Sequence, residues 1–313
     1  MKALRYLFVF GDSYTISSFN IGGSWPSLSN PLGNPPFPGY TTSGGVNWLG
    51  HLVSDYNATD VLAWNLASGG ATVDAKILRA RMPNPDAVLS FVDQVNIWTK
   101  HLSPPPPHAS WTPESSLFTL WFGMNDVGND WHLNERSVKT ATEKIMWQLY
   151  AREPIKRLHA IMDMYWEQVS VLYTKGARMF ALMNTPPIHR TPAMVIQYPE
   201  VLGRNVQAAV INQWNDLLEH RVAVFSKQHP DAKIKVIDTS SAFNTAIDDP
   251  KRFGAPDATS WDYKGQEKIW WDSYHPGKEI SIMLAEAVAG GWGVEEADGG
   301  FFKLDKEQTG KEL

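Results

Sequence analysis

The sequence contains no cysteine. Disulfide scaffolds and thiolate metal centres are therefore excluded, while the compartment stays open, because secreted chains need no disulfide. No apolar run approaches the ~20 residues that a membrane-spanning helix needs. The first run, "YLFVF", is too short for the core of a secretory signal and leads straight into Gly-Asp-Ser. An intracellular form and a secreted, processed form both remain open. Positive charge is not in excess: 28 Lys and Arg face 33 Asp and Glu, a net −5 at pH 7. Neither nucleic acid nor a membrane is expected as a partner, and oligomeric state is not legible. Gly-x-Gly-x-x-Gly, a Walker loop and His-Glu-x-x-His are all missing, so no cofactor and no metal are expected. Ser13 lacks the Gly-x-Ser-x-Gly elbow, which argues against the α/β-hydrolase class.

What the chain does have is apolar mass: 43% hydrophobic residues in 313, with 14 Trp, enough for one large domain over 1–313. Near-continuous apolar runs at 4–10, 60–67, 116–122, 177–185 and 233–239 suit strands buried on both faces. Helical periodicity fills 46–56, 86–102, a long stretch near 135–175 with a bend at Pro154, 198–228 and 277–291. This alternation predicts an α/β fold with a parallel sheet. The Gly- and Pro-rich segment 22–45 is a long loop of the functional or disordered kind, 103–113 is a surface loop, and 303–313 is a polar tail.

Three stretches rich in Gly, Ser, Asn and Asp follow the first three strands: "GDSY" with Ser13, "ASGGAT" with Gly70, and "FGMND" with Asn125. A fourth, "WWDSYHPG", precedes the last helix. Open parallel sheets bind ligands at the carboxyl ends of their strands. An assumed strand order of 2-1-3-4-5 would set Ser13 between the Gly69–Gly70 turn and Asn125. A serine hydroxyl becomes a nucleophile when a base accepts its proton, and His275 can do so. Asp272, three residues earlier, can hold the other ring nitrogen. An oxyanion needs placed donors, for which the N–H groups of Ser13 and Gly70 and the Asn125 amide are candidates. Each residue also has a plainer reading: Ser13 as a turn or cap, Gly69–Gly70 as a connecting turn, Asn125–Asp126 and Asp272 as helix caps.

The four blocks together resemble the SGNH, or GDSL-type, hydrolase superfamily, along nearly the whole chain. The resemblance implies a flavodoxin-like three-layer α/β/α sandwich with a five-stranded sheet. It implies Ser13 as nucleophile, Asp272 and His275 as its partners, and Ser13, Gly70 and Asn125 as the oxyanion hole. Tyr14 stands where the family name has Leu, at a variable position. Within the superfamily, "FVFGDSYT", "NPLGNPPFPGYTTSGGVNW", "NLASGGAT" and "WFGMNDVGN" are most similar to fungal acetyl esterases of carbohydrate esterase family sixteen. That likeness implies a serine esterase releasing acetate from acetylated xylo-oligosaccharides or similar sugars. Phe37, Tyr40, Trp48, Trp121 and Trp271 are then candidate substrate contacts. The competing reading keeps the chemistry but uses lipid or choline esters, or transfers the acyl group to another alcohol. A catalytically dead sugar-binding protein is the reading from a different class.

Overall fold

The computed structural model describes residues 4–130, 152–199, 201–264, 267–292 and 301–303. Five strands form one sheet: β1 (Leu4–Gly11), β2 (Asp60–Asn65), β3 (Ser116–Trp121), β4 (Met179–Met183) and β5 (Lys233–Ile237). All neighbours are parallel and the order is β2-β1-β3-β4-β5, as assumed from the sequence. In β1, which lies between β2 and β3, Val9 stands beside Asn65 of β2 and Thr119 of β3.

The strands are continuous apolar runs because helices cover both faces. Leu7, Phe8, Val9 and Phe10 have no exposed surface at all. Phe8 is surrounded by Trp64, Trp98, Trp111 and Phe118, with ring centroids 5.0 to 5.7 Å away. Losing such a ring to alanine costs about 3–5 kcal/mol. The tryptophan surplus is thus largely core: Trp48, Trp64, Trp98, Trp121, Trp214 and Trp270 are fully buried.

The described helices are α1 (Trp48–Ser54), α2 (Phe91–Leu102), α3 (Met124–Asp130), α4 (Arg152–Thr174), α5 (Pro192–Gln197), α6 (Val201–Gln228), α7 (Ser240–Asp248) and α8 (Lys278–Trp292). α1, α7 and α8 pack together, as do α2, α3, α4 and α6, which puts a helical layer on each face of the sheet. The architecture is the expected three-layer α/β/α sandwich.

Several boundaries differ from the sequence reading. The helix expected from 86 starts at Phe91, because Ser90 caps it: its hydroxyl accepts the Asp93 N–H and the Asp93 carboxylate accepts the Ser90 N–H. The segment expected at 198–228 is helical from Val201, and α5 precedes it with Pro192 in its first turn. The short helices α3, at the Asn125–Asp126 cap candidate, and α7 have no counterpart among the periodic segments, since seven and nine residues carry too little periodicity to stand out. Residues 135–151 of the expected long helix lie outside the described residues, as does 304–313 of the expected tail; Pro154 falls in the first turn of α4, where a proline is tolerated.

The loop 22–45 lacks helix and strand yet is tied down. Asn34 Nδ2 donates to the carbonyls of Asn20 and Ser24, at 2.8 and 2.7 Å. Tyr40 N donates to Ser17 O at 3.1 Å, and Thr42 Oγ1 donates to Ser13 O at 2.5 Å. The loop is thereby anchored onto the turn that follows β1.

Candidate active site

The sheet order reverses at β1, with β2 on one side and β3 on the other, so the carboxyl end of β1 is the switch point where such sheets hold ligands. Ser13 stands there, partly exposed, two residues beyond the strand. Gln94 of α2 finishes the strand edge: its amide accepts Gly11 N at 3.0 Å and donates to Gly11 O at 2.8 Å. Asp12 then turns the chain. Its carbonyl accepts the N–H groups of Thr15 and Ile16, and its Oδ1 accepts Tyr14 N at 3.0 Å. Among the described residues the Ser13 N–H has no acceptor.

Gly70 lies in the turn after β2 with φ +81, a region that glycine enters without strain. Its N–H likewise has no acceptor among the described residues. Asn125 sits in the first turn of α3, not at its cap, so the cap reading of Asn125–Asp126 fails. Gly123, with φ +120, makes the sharp exit from β3; a Cβ there would stand 2.2 Å from Thr185 Oγ1 and 2.7 Å from Trp214.

The fourth block closes the site from the other end of the chain. His275 Nδ1 lies 2.7 Å from Asp272 Oδ2, and the two side chains are 19% and 18% exposed. Asp272 Oδ1 also accepts the N–H groups of Tyr274 and His275, each at 2.7 Å. Burial opposes the charge on Asp272, but the hydrogen bond and charge of His275 and the two backbone donors outweigh it and hold its carboxyl below the usual range. A carboxylate at Nδ1 fixes the proton on that nitrogen, leaving the Nε2 lone pair free to act as a base. Tyr14 joins this loop to the Ser13 turn. Its ring is 5.5 Å from that of His275, and its hydroxyl donates to Tyr274 O at 2.6 Å.

The structure therefore assembles all four blocks at one sheet end. Asn125 Nδ2 bonds Asp12 Oδ2 at 2.9 Å and Ala71 O at 3.0 Å, which ties the third block to the first and second. The aromatic candidates divide. Tyr40 is 74% exposed, Phe37 is 40% exposed and packs near Gly50 of α1, and Trp271 is half-buried. Trp48 and Trp121 are 1% and 0% exposed. Neither has a face left for substrate: the Trp48 indole donates to Thr15 Oγ1 and that of Trp121 to Asn184 O, both within the core. Those two substrate assignments are corrected.

The sequence reading passed over Asp12, Tyr14 and Gln94 as site residues. Asp12 and Tyr14 lay inside the quoted motif, but their partners are more than 100 positions away. Gln94 carried one signal, a polar residue on the apolar face of α2, where it is fully buried.

Residues 7–288 match the family described as GDSL-like Lipase/Acylhydrolase. The chain belongs to this family. Among similar proteins, an acetylesterase from Thermothelomyces thermophilus is 40% identical over 290 residues, covering 92% of this chain and 88% of that protein. A second acetylesterase, from Hypocrea jecorina, is 25% identical, covering 90% and 86%. Among solved structures, an acetyl xylan esterase from Geobacillus stearothermophilus is similar with a TM-score of 0.49 at 14% identity, covering 96% and 97%.

Proposed function

We propose that this chain hydrolyses acetyl esters of carbohydrates through an acyl-enzyme. The relationship to the Thermothelomyces acetylesterase along most of both chains carries the acetyl-ester reading. The Asp272–His275 pair beside the Ser13 turn supplies the chemistry.

In this reading the Ser13 hydroxyl attacks the acetyl carbonyl while His275 Nε2 takes its proton. The carbonyl oxygen becomes an oxyanion, received by the N–H groups of Ser13 and Gly70 and by the Asn125 amide. The imidazolium, steadied by Asp272, returns the proton to the departing sugar hydroxyl. Water repeats the sequence on the acetyl-serine and releases acetate. No metal or cofactor is required by these steps. The exposed rings of Tyr40 and Phe37 and the half-buried Trp271 support a sugar on the outer side of the ester. Nothing in the chemistry calls for nucleic acid or a membrane, and no helix among the described residues is long and apolar enough to cross one.

A chain-length series of p-nitrophenyl esters tests this, run beside acetate release from acetylated xylo-oligosaccharides. An acyl groove would gain about 0.8 kcal/mol, roughly fourfold in binding, for each added methylene. We expect kcat/KM to fall instead from acetate through butyrate to octanoate, with the acetylated sugars better than simple acetates. Octanoate preferred over acetate, with no release from the sugars, would favour the lipid-ester reading.

A further inference from the structure

The amide nitrogen of Asn125 carries two protons, and in this structure both have acceptors: Asp12 Oδ2 and Ala71 O. A residue expected to serve a substrate oxyanion is thus already occupied. It can reach that oxygen only as a shared donor or by releasing one of the two. The Ala71 carbonyl belongs to the backbone of the turn that carries Gly70, whose N–H is itself an expected donor, so it keeps amide and turn in register. Asp12 is different, because it can change its charge. It has no exposed surface, its other oxygen is held by Tyr14 N, and it adjoins Ser13.

We propose that Asp12 is a positioning residue of the oxyanion hole, acting through Asn125: its carboxyl anchors one amide proton and thereby sets how the amide is presented to the substrate oxygen. This rests on the reading of Asn125 as an oxyanion donor. Asp12 is faced by Tyr14 from its own turn, by Asn125 and Asp126 from α3, and by Tyr274 from the 270–277 loop. Burial pushes its carboxyl up to about 8; the Tyr14 N–H and Asn125 oppose the rise and the charge of Asp126 adds to it. Both tyrosines are held above their ordinary range by burial, so neither ionises alongside Asp12. At neutral pH Asp12 is then a neutral acid, a weak acceptor from which the amide proton is readily shared. Above about 8 it becomes a carboxylate. The bond to Asn125 is then charge-assisted and stronger, and a negative charge stands beside the developing oxyanion. Both effects oppose the transition state.

The experiment is a double-mutant cycle on Asp12 and Asn125, with kcat and KM for p-nitrophenyl acetate measured from pH 6 to 9.5 and thermal unfolding recorded for each variant. The wild type should lose kcat on a single alkaline limb near pH 8, with KM little changed. Asp12→Asn, which keeps the shape but cannot ionise, should lack that limb. Asp12→Ala should lower kcat by up to the ~10²–10³-fold that a lost oxyanion donor costs. It should add little on top of Asn125→Ala, since the two act through one amide. If Asn125→Ala costs that much while Asp12→Ala does not, or if their losses multiply, the positioning role is overturned and the oxyanion reading stands. An alkaline limb that persists in Asp12→Asn also overturns it. If Asn125→Ala itself leaves kcat intact, the oxyanion reading falls and this proposal with it. Should Asp12→Ala fail to fold, the Asp12→Asn pH profile decides alone.

Discussion

The Tyr14 hydroxyl donates to the carbonyl of Tyr274 at 2.6 Å, across 260 positions of chain. This bond clamps the turn that carries Ser13 to the loop that carries Asp272 and His275. Tyr14 is buried and Tyr274 half-buried, so water is a poor substitute for the bond. Tyr14→Phe should leave the Tyr274 carbonyl short of a partner and cost about 1–3 kcal/mol of stability. It should also lower kcat, since the loop then loses its registration against Ser13. Denaturant unfolding and steady-state kinetics on the same preparation check both. A stability loss with kcat unchanged would reduce the clamp to packing.

Ser13→Ala and His275→Ala should each remove nearly all esterase activity, and the double variant should be little worse, because nucleophile and base act as a unit. A serine-directed phosphonate should label Ser13 alone, as read by peptide mass mapping. Labelling of another serine would overturn the assignment of the nucleophile.

Asp272→Asn has a defined chemical fault. Asp272 Oδ1 accepts two backbone N–H groups, so an asparagine keeps its oxygen there and turns its NH2 toward His275 Nδ1. That nitrogen must then accept, which moves the ring proton to Nε2 and removes the base. The loss in kcat should approach ~10⁴, the figure for the same change in a serine protease. Asp272→Ala, which forces no tautomer, should be compared by kcat at fixed pH.

The depressed carboxyl of Asp272 also has a stability signature. Its folded pKa lies below its unfolded value, so its contribution is fully present above the ordinary carboxylate range. It is lost as pH falls through the folded value. The Tm difference between wild type and Asp272→Asn should therefore hold from pH 7 down to about 5 and shrink only below pH ~4. A difference that vanished between pH 7 and 6 would contradict the hydrogen bonding seen here.

Gly123→Ala should be among the more damaging single-methyl additions in the chain. Its φ of +120 suits glycine, and the new Cβ would collide with Thr185 and Trp214. Either the turn shifts, displacing Asn125 two residues on, or the core around fully buried Trp214 opens. We expect a drop of several degrees in Tm together with a lower kcat. Gly70→Ala meets Met82 Cγ at 2.6 Å, a side chain that can swing away. It should lose kcat more than stability.

By itself the sequence determined the strand–helix alternation of a parallel α/β sheet and the end of the sheet at which the candidate residues gather. Strands buried on both faces must be apolar throughout, so they stand out in the chain, and the turns that follow them carry Ser13, Gly70 and Asn125. The Asp272–His275 pair was legible for the same local reason, being three residues apart. Only the tertiary structure decided which aromatics face outward: Trp48 and Trp121 look no different from Trp271 in sequence, yet strand and helix packing buries them completely. It also decided what the polar side chains near Ser13 do. Asp12 with Asn125, Tyr14 with Tyr274 and Gln94 with Gly11 are partners separated by 83 to 260 positions: the first pair meets because β1 and β3 are neighbours, the second because the 270–277 loop folds back onto the Ser13 turn, and the third because α2 packs on β1. A hydrogen bond is a matter of a few ångströms in space, and periodicity along the chain holds no record of it.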